Sequence, residues 1–100
     1  MRTEQGQIEG DITLTEALAL YGQATGNVVV AAGGELWLYG MCVQNLIVQR
    51  DGKAVVYGTV DGNVVNEGGE LQVFGVITGS LHSASGGTVV DPGAVVGNRA

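Results

Sequence analysis

The stretch Leu36–Lys53, LWLYGMCVQNLIVQRDGK, is repeated by its neighbours on both sides. Leu18–Glu35 reads LALYGQATGNVVVAAGGE, Ala54–Glu70 reads AVVYGTVDGNVVNEGGE and Leu71–Thr88 reads LQVFGVITGSLHSASGGT. A partial copy, GQIEGDITLTEA, opens at Gly6, and another, VVDPGAVVGNRA, runs from Val89. The repeat lengths are 18, 18, 17 and 18 residues. Self-similarity at so short a period is the signature of a solenoid, in which no single repeat can bury its apolar side and stacked repeats make a continuous core.

Aligned copies form columns. Leu18, Leu36, Ala54, Leu71 and Val89 make one, and Leu20, Leu38, Val56 and Val73 a second. Ile8, Ala24, Cys42, Val60, Ile77 and Val95 make a third, and Ile12, Val28, Leu46, Val64 and Leu81 a fourth. Polar or small residues alternate with these positions, which is the period-2 pattern of strands with one buried side. Glycine columns mark the corners: Gly6, Gly22, Gly40, Gly58, Gly75 and Gly93; Gly34, Gly52, Gly69 and Gly87; and Gly10, Gly26, Gly62, Gly79 and Gly97, with Gln44 in the third copy. Beside the last runs Asp11, Asn27, Asn45, Asn63, Ser80 and Asn98, side chains that satisfy local backbone groups at turns and can bond from coil to coil. Recurrence in every copy marks this column as architecture.

The expected fold is therefore all-β: a single-domain parallel β-helix (β-solenoid), triangular in section, of about five coils of 17–18 residues. The expected organisation is an N-terminal cap or tail over residues 1–5, a partial first coil over 6–17, four full repeats over 18–88 and a partial last coil over 89–100. Exposed strand edges at the two ends need capping. Met1–Gln5 at one end, and Asp91-Pro92 with Asn98-Arg99-Ala100 at the other, are the available terminators.

Composition agrees. Hydrophobic residues are 45% of the 100-residue chain, enough for a core, and 18 Gly against 1 Pro fit many tight turns. The net charge of −6, with only Arg2, Arg50, Lys53 and Arg99 as basic residues, disfavours nucleic acid and anionic membranes and suits a basic protein partner. No apolar run approaches the roughly 20 residues that span a bilayer, and the start lacks a signal-peptide pattern, so a cytoplasmic location is expected.

The phrases Gly6-Gln7-Ile8-Glu9-Gly10-Asp11-Ile12 and Gly58-Thr59-Val60-Asp61-Gly62-Asn63-Val64 resemble the repeats of bactofilins, bacterial polymer-forming cytoskeletal proteins. The resemblance runs from Gly6 to about Val96. It implies a right-handed triangular β-helix that assembles end to end through its terminal coils. The columns themselves leave the hand open. Leu18, Ala24 and Val30, spaced six apart, also fit the left-handed helix of hexapeptide acyltransferases, whose inserted loop with a catalytic histidine has no counterpart here. Bactofilins also carry flexible tails around the core, whereas the repeats here occupy almost the whole sequence.

Alternation places Trp37 and Tyr39 outside, between the inward Leu36 and Leu38. Tyr39 recurs as Tyr21, Tyr57 and Phe74, so four of the five aromatics form one stripe, with Trp37 beside it. Exposed Tyr and Trp in a row suit a protein-binding surface. They equally suit a ladder that ties neighbouring coils together. A nucleic-acid stacking platform would interleave Lys or Arg, which this stripe lacks. Cys42 falls in an inward column and reads as a small core residue. His82 stands alone on an outward position, and scattered carboxylates (Glu35, Asp51, Asp61, Glu67, Glu70) form no calcium-repeat pattern. No catalytic residue, metal ligand or cofactor site is expected.

Two non-catalytic functions fit: a small acidic immunity- or inhibitor-type protein that masks a partner such as a bacterial toxin, and a bactofilin-like scaffold that self-associates through its terminal coils. The column assignment predicts that Val60→Asp, which buries an unpaired charge, abolishes the cooperative melt seen by circular dichroism. A variant that melts like the parent would refute the register.

Overall fold

In a computed structural model, residues 2–99 are described, with the side chains of Ala84, Ser85, Asn98 and Arg99 excepted. Met1, Ala100 and the side chains of the Asn98-Arg99 terminator lie outside the described residues. Every strand pairing is parallel, and each coil contributes three short strands separated by corners. The first face is built by β1 (Arg2–Glu4), β4 (Ala17–Leu20), β7 (Glu35–Leu38), β10 (Lys53–Val56) and the end of β12 (Val64–Val73). The second is built by β2 (Gln7–Ile8), β5 (Gln23–Ala24), β8 (Met41–Cys42), β11 (Thr59–Val60) and the start of β13 (Val76–Val90). The third is built by β3 (Ile12–Leu14), β6 (Val28–Val30), β9 (Leu46–Val48), the start of β12 and the middle of β13. β14 (Val95–Arg99) covers β13 on the second face and runs on over the third. The result is a three-sided β-solenoid of about five coils, 30 × 24 × 20 Å in extent.

Equivalent residues sit one backbone hydrogen-bond repeat apart, about 4.8 Å, so like side chains stack inside. Leu18, Leu36, Ala54 and Leu71, Leu20, Leu38, Val56 and Val73, and Ala24, Cys42, Val60 and Ile77 are all fully buried. A fifth inward column, Leu14, Val30, Val48 and Asn66, completes the third face.

Each corner has its own chemistry. At the first, one carbonyl accepts two consecutive amides: Leu20 from Tyr39 and Gly40, both 2.9 Å, and Leu38 from Tyr57 and Gly58, both 2.8 Å. The shared acceptor pulls the second residue tight against the coil below. A Cβ on Gly40 or Gly58 would lie 1.9 Å from the underlying glycine's carbonyl oxygen, so no side chain fits. At the second corner the Asn column forms a ladder: Asn27 N–H donates to Asp11 Oδ1 (2.7 Å), Asn45 to Asn27 (3.1 Å), Asn63 to Asn45 (3.0 Å) and Ser80 to Asn63 (2.8 Å). The third corner is a turn closed by Gly34 N–H on the Ala31 carbonyl (2.9 Å) and Gly52 N–H on that of Gln49 (3.0 Å). Gly33 there has φ 83°, and Asp51, its counterpart one coil on, φ 66°.

The 17-residue repeat shortens this third corner by one residue, and Asn66 takes over its hydrogen bonding. Fully buried, Asn66 accepts through Oδ1 from Gly68 N–H (3.1 Å) and Gly69 N–H (2.9 Å). Its Nδ2 donates to the carbonyls of Gly69 (3.2 Å) and Gly87 (3.3 Å) and to Thr88 Oγ1 (2.9 Å). Where a backbone carbonyl accepts from Gly34 and Gly52 in the longer turns, a side-chain amide oxygen accepts from Gly69 here.

That device corrects the expected register of the last coil. Thr88, not Val89, stands over Leu71, and Val90 stands over Val73. Val89 points outward and is 58% exposed. Val96, not Val95, stands over Ile77, and Gly86, not Gly87, packs against Gly69. Adjacent valines at 89–90 and 95–96 satisfy an apolar column in either register, so hydrophobicity does not decide. The observed register continues the 17-residue offset of Val64 and Leu81, and it is the one in which Asn66 bonds Thr88. Pro92, Gly93 and Ala94 widen the first corner of this coil by two residues, since Asp91 still bonds the Val73 carbonyl (2.8 Å) while Val95 pairs with Val76. At the opposite end, Arg2–Glu4 form β1, which pairs with β4 and extends the first face by a strand.

Asn66→Val would restore the apolar column of Val30 and Val48 yet leave the Gly68 and Gly69 amides without an acceptor. Urea melts are expected to show a loss of about 2–3 kcal/mol. A stabilised Asn66→Val protein would contradict the assigned role.

Candidate functional site: an aromatic edge

The outward aromatics lie along the ridge where the first face turns into the second. Each follows directly on a first-face strand: Tyr21 after β4, Tyr39 after β7, Tyr57 after β10 and Phe74 after β12. The glycine after each ring fixes its backbone, because the tight corner leaves outer space for only one side chain of the pair. Parallel register then places each ring above the last. Tyr21 and Tyr39 have ring centroids 4.8 Å apart at 7°, Tyr39 and Tyr57 5.2 Å at 3°, and Tyr57 and Phe74 5.1 Å at 11°. Stacked pairs contribute roughly 0.5–1.5 kcal/mol each beyond area burial. The ladder therefore ties coils together, and it also presents a surface: its rings are 40–52% exposed.

Trp37 is part of the same construction but is less open than the four ridge rings. It points outward from β7 and is half-buried, stacked on Tyr57 at 6.4 Å and 13°. The Glu35 carboxylate accepts its indole N–H, and Lys53 Nζ lies 5.7 Å from the ring centroid. In register with Trp37 lie Ala19 and Val55, which face outward yet are only 4% and 1% exposed. With the indole stacked on Tyr57 one coil on, Ala19, Trp37 and Val55 form an apolar band beside the ridge on its first-face side. Sequence alternation found the five aromatics; it did not find this band, because Ala19 and Val55 read as ordinary outward positions. The Glu35–Trp37–Lys53 clamp escaped too, since its partners lie two residues apart in one strand and one coil away.

The rings cover one another's faces, leaving edges and hydroxyls for contact. That geometry offers no open π-face between rungs on which a base or sugar could stack, and it offers a rigid, ridge-shaped surface of mixed apolar and hydroxyl character.

Other chemistry-bearing groups are dispersed. Cys42 is fully buried, and burial pushes its thiol from 9.0 up to about 11. His82 is exposed on the third face beside Val65, remote from the ridge. Among the described residues no group of three His, Cys, Asp or Glu side chains is placed to hold a metal ion, and no helix is long and apolar enough to cross a membrane. An open groove of about 400 Å³ lies at the third corner, floored by Gly68, Gly69, Gly86 and Gly87 and edged by Asp51, Lys53 and Glu70. Comparison with protein families, with characterised proteins and with solved structures finds no match to this chain.

The Cys42 thiol yields a pH prediction. An acid whose folded pKa is raised contributes stability that is complete below the unfolded pKa and is lost as pH rises through the folded one. Between pH 9.0 and about 11 the unfolded thiol ionises and the folded one does not. Stability relative to Cys42→Ala should therefore fall by about 2–3 kcal/mol across that window, read from urea melts. Parallel profiles for the two proteins would mean that the thiol is solvated.

Proposed function

We propose that this chain is a non-catalytic, cytoplasmic protein-binding module of immunity or inhibitor type, which masks a basic partner such as a bacterial toxin with its aromatic edge. The observation that carries this reading is the ladder itself: Tyr21, Tyr39, Tyr57 and Phe74 held rigid by stacking, yet 40–52% exposed along one ridge. Aromatic side chains that are already immobile lose little entropy on binding and are enriched among energetic hot spots. The net charge of −6 steers a basic partner and disfavours phosphate backbones. The one thiol is buried and held protonated, which supports a role without nucleophilic chemistry.

A second reading, a bactofilin-like scaffold that self-associates through its terminal coils, draws on the two ends. Ile8 and Ile12 in the first coil, and Val90, Ala94 and Val96 in the last, pack on the core while only partly buried. Among the described residues, no strand pairs with the outer edges of β1, β2 and β3, nor with β13 beyond Leu81 on its β14 side. Parallel edges of this kind accept further strands.

Affinity capture from a bacterial lysate with the parent protein and with Trp37→Ala/Tyr39→Ala separates the readings. The masking role predicts a basic protein retained at low salt by the parent and bound at least tenfold more weakly by the double variant, whose spectrum remains that of a folded β protein. It also predicts a constant mass in light scattering at micromolar concentrations. Concentration-dependent growth into long polymers, unaffected by the double variant, would support the scaffold instead.

A further inference from the structure

The geometry points to the tyrosine ladder as a site of oxidative cross-linking, at which a one-electron oxidant joins rings on successive coils as dityrosine and staples the solenoid along its edge. Dityrosine formation needs two phenols side by side, accessible to oxidant and held long enough for two radicals to meet. All three conditions are met here. Tyr21, Tyr39 and Tyr57 are 18 residues apart in sequence but adjacent in register, with centroids 4.8 and 5.2 Å apart and planes within 7° of parallel. Their exposures are 52%, 42% and 45%. They stand on an exposed edge, so an oxidant reaches the rings without entering the core. Phe74 ends the run, because it stacks like the others but has no hydroxyl to oxidise.

The chemistry balances without help from another residue. Each of two neighbouring phenols gives one electron to one equivalent of oxidant, such as a ruthenium(III) polypyridyl complex or a peroxidase haem intermediate, and its hydroxyl proton to water. The two phenoxyl radicals carry spin on their ortho carbons and combine there in a new carbon–carbon bond. The hydrogens on those carbons then return to the oxygens by tautomerisation and restore both phenols. The net change is loss of two electrons and two protons, with two equivalents of oxidant reduced. The product closes an 18-residue loop from one coil to the next, so the edge can no longer unzip there.

The test is oxidation of dilute purified protein by a photogenerated ruthenium(III) polypyridyl complex with persulfate as terminal electron acceptor. Dityrosine fluorescence is read on the monomer band of a denaturing gel, and the linked residues are located by peptide mass mapping. The parent should give monomeric dityrosine joining Tyr21 to Tyr39 or Tyr39 to Tyr57, together with a raised melting temperature. Tyr39→Phe keeps a ring in the stack, as Phe74 does naturally, but removes both adjacent pairs. Its monomeric dityrosine should fall at least tenfold, whereas Tyr21→Phe and Tyr57→Phe each retain one pair and a substantial yield. An undiminished yield in Tyr39→Phe would overturn the proposal. So would a parent that gives only intermolecular dityrosine, or none at all under conditions that couple N-acetyltyrosine amide.

Discussion

Every residue of this chain that lies in a coil must tolerate its own counterpart about 4.8 Å above and below. Backbone hydrogen bonds between parallel strands set that spacing, and the side chains are chosen to live with it. Inside, leucines and valines stack on leucines and valines. At the second corner an Asn carboxamide reaches the backbone amide of the next coil. At the first corner the same spacing has two consequences at once: it excludes any Cβ from the glycines, whose position nearly touches the carbonyl beneath, and it brings the preceding aromatic rings to stacking distance. The ridge proposed as the functional surface is thus a product of the constraint that makes the fold.

Much of this was legible because repetition multiplies weak signals. A single Leu-x-Leu-x alternation is ambiguous, but four aligned copies are not, and the inward columns that run through Leu20 and through Ala24 follow directly. The aromatic stripe was legible for the same reason. What escaped was whatever breaks the repeat. Asn66 looks like an error in an apolar column until the missing residue of the 17-residue repeat is noticed; then a buried amide with two backbone donors to satisfy becomes the expected substitute. The expected register of the last coil is one residue out because its valines come in adjacent pairs, which leave the period-2 pattern without a phase.

The ladder role of the aromatics and their proposed contact role are compatible in one geometry. A ring stacked on both faces is immobile, and an immobile ring with an exposed edge is a low-entropy contact for a partner. The half-buried Trp37, clamped between Glu35 and Lys53, extends the surface onto the first face. Charge is in keeping with the proposed basic partner: four basic residues against ten acidic ones discourage close packing of like copies side by side. The ends are a different matter, since apolar residues there are only partly covered.

The central claim is the register of the stack, and nuclear Overhauser contacts in the isotope-labelled protein test it most directly. The structure requires ring-to-ring contacts between Tyr21 and Tyr39 and between Tyr39 and Tyr57, and side-chain contacts along Val28, Leu46 and Val64. It also requires contacts of Thr88 with Leu71 and of Val96 with Ile77. Contacts of Val89 with Leu71 and of Val95 with Ile77 in their place, or aromatic rings without mutual contacts, would contradict it.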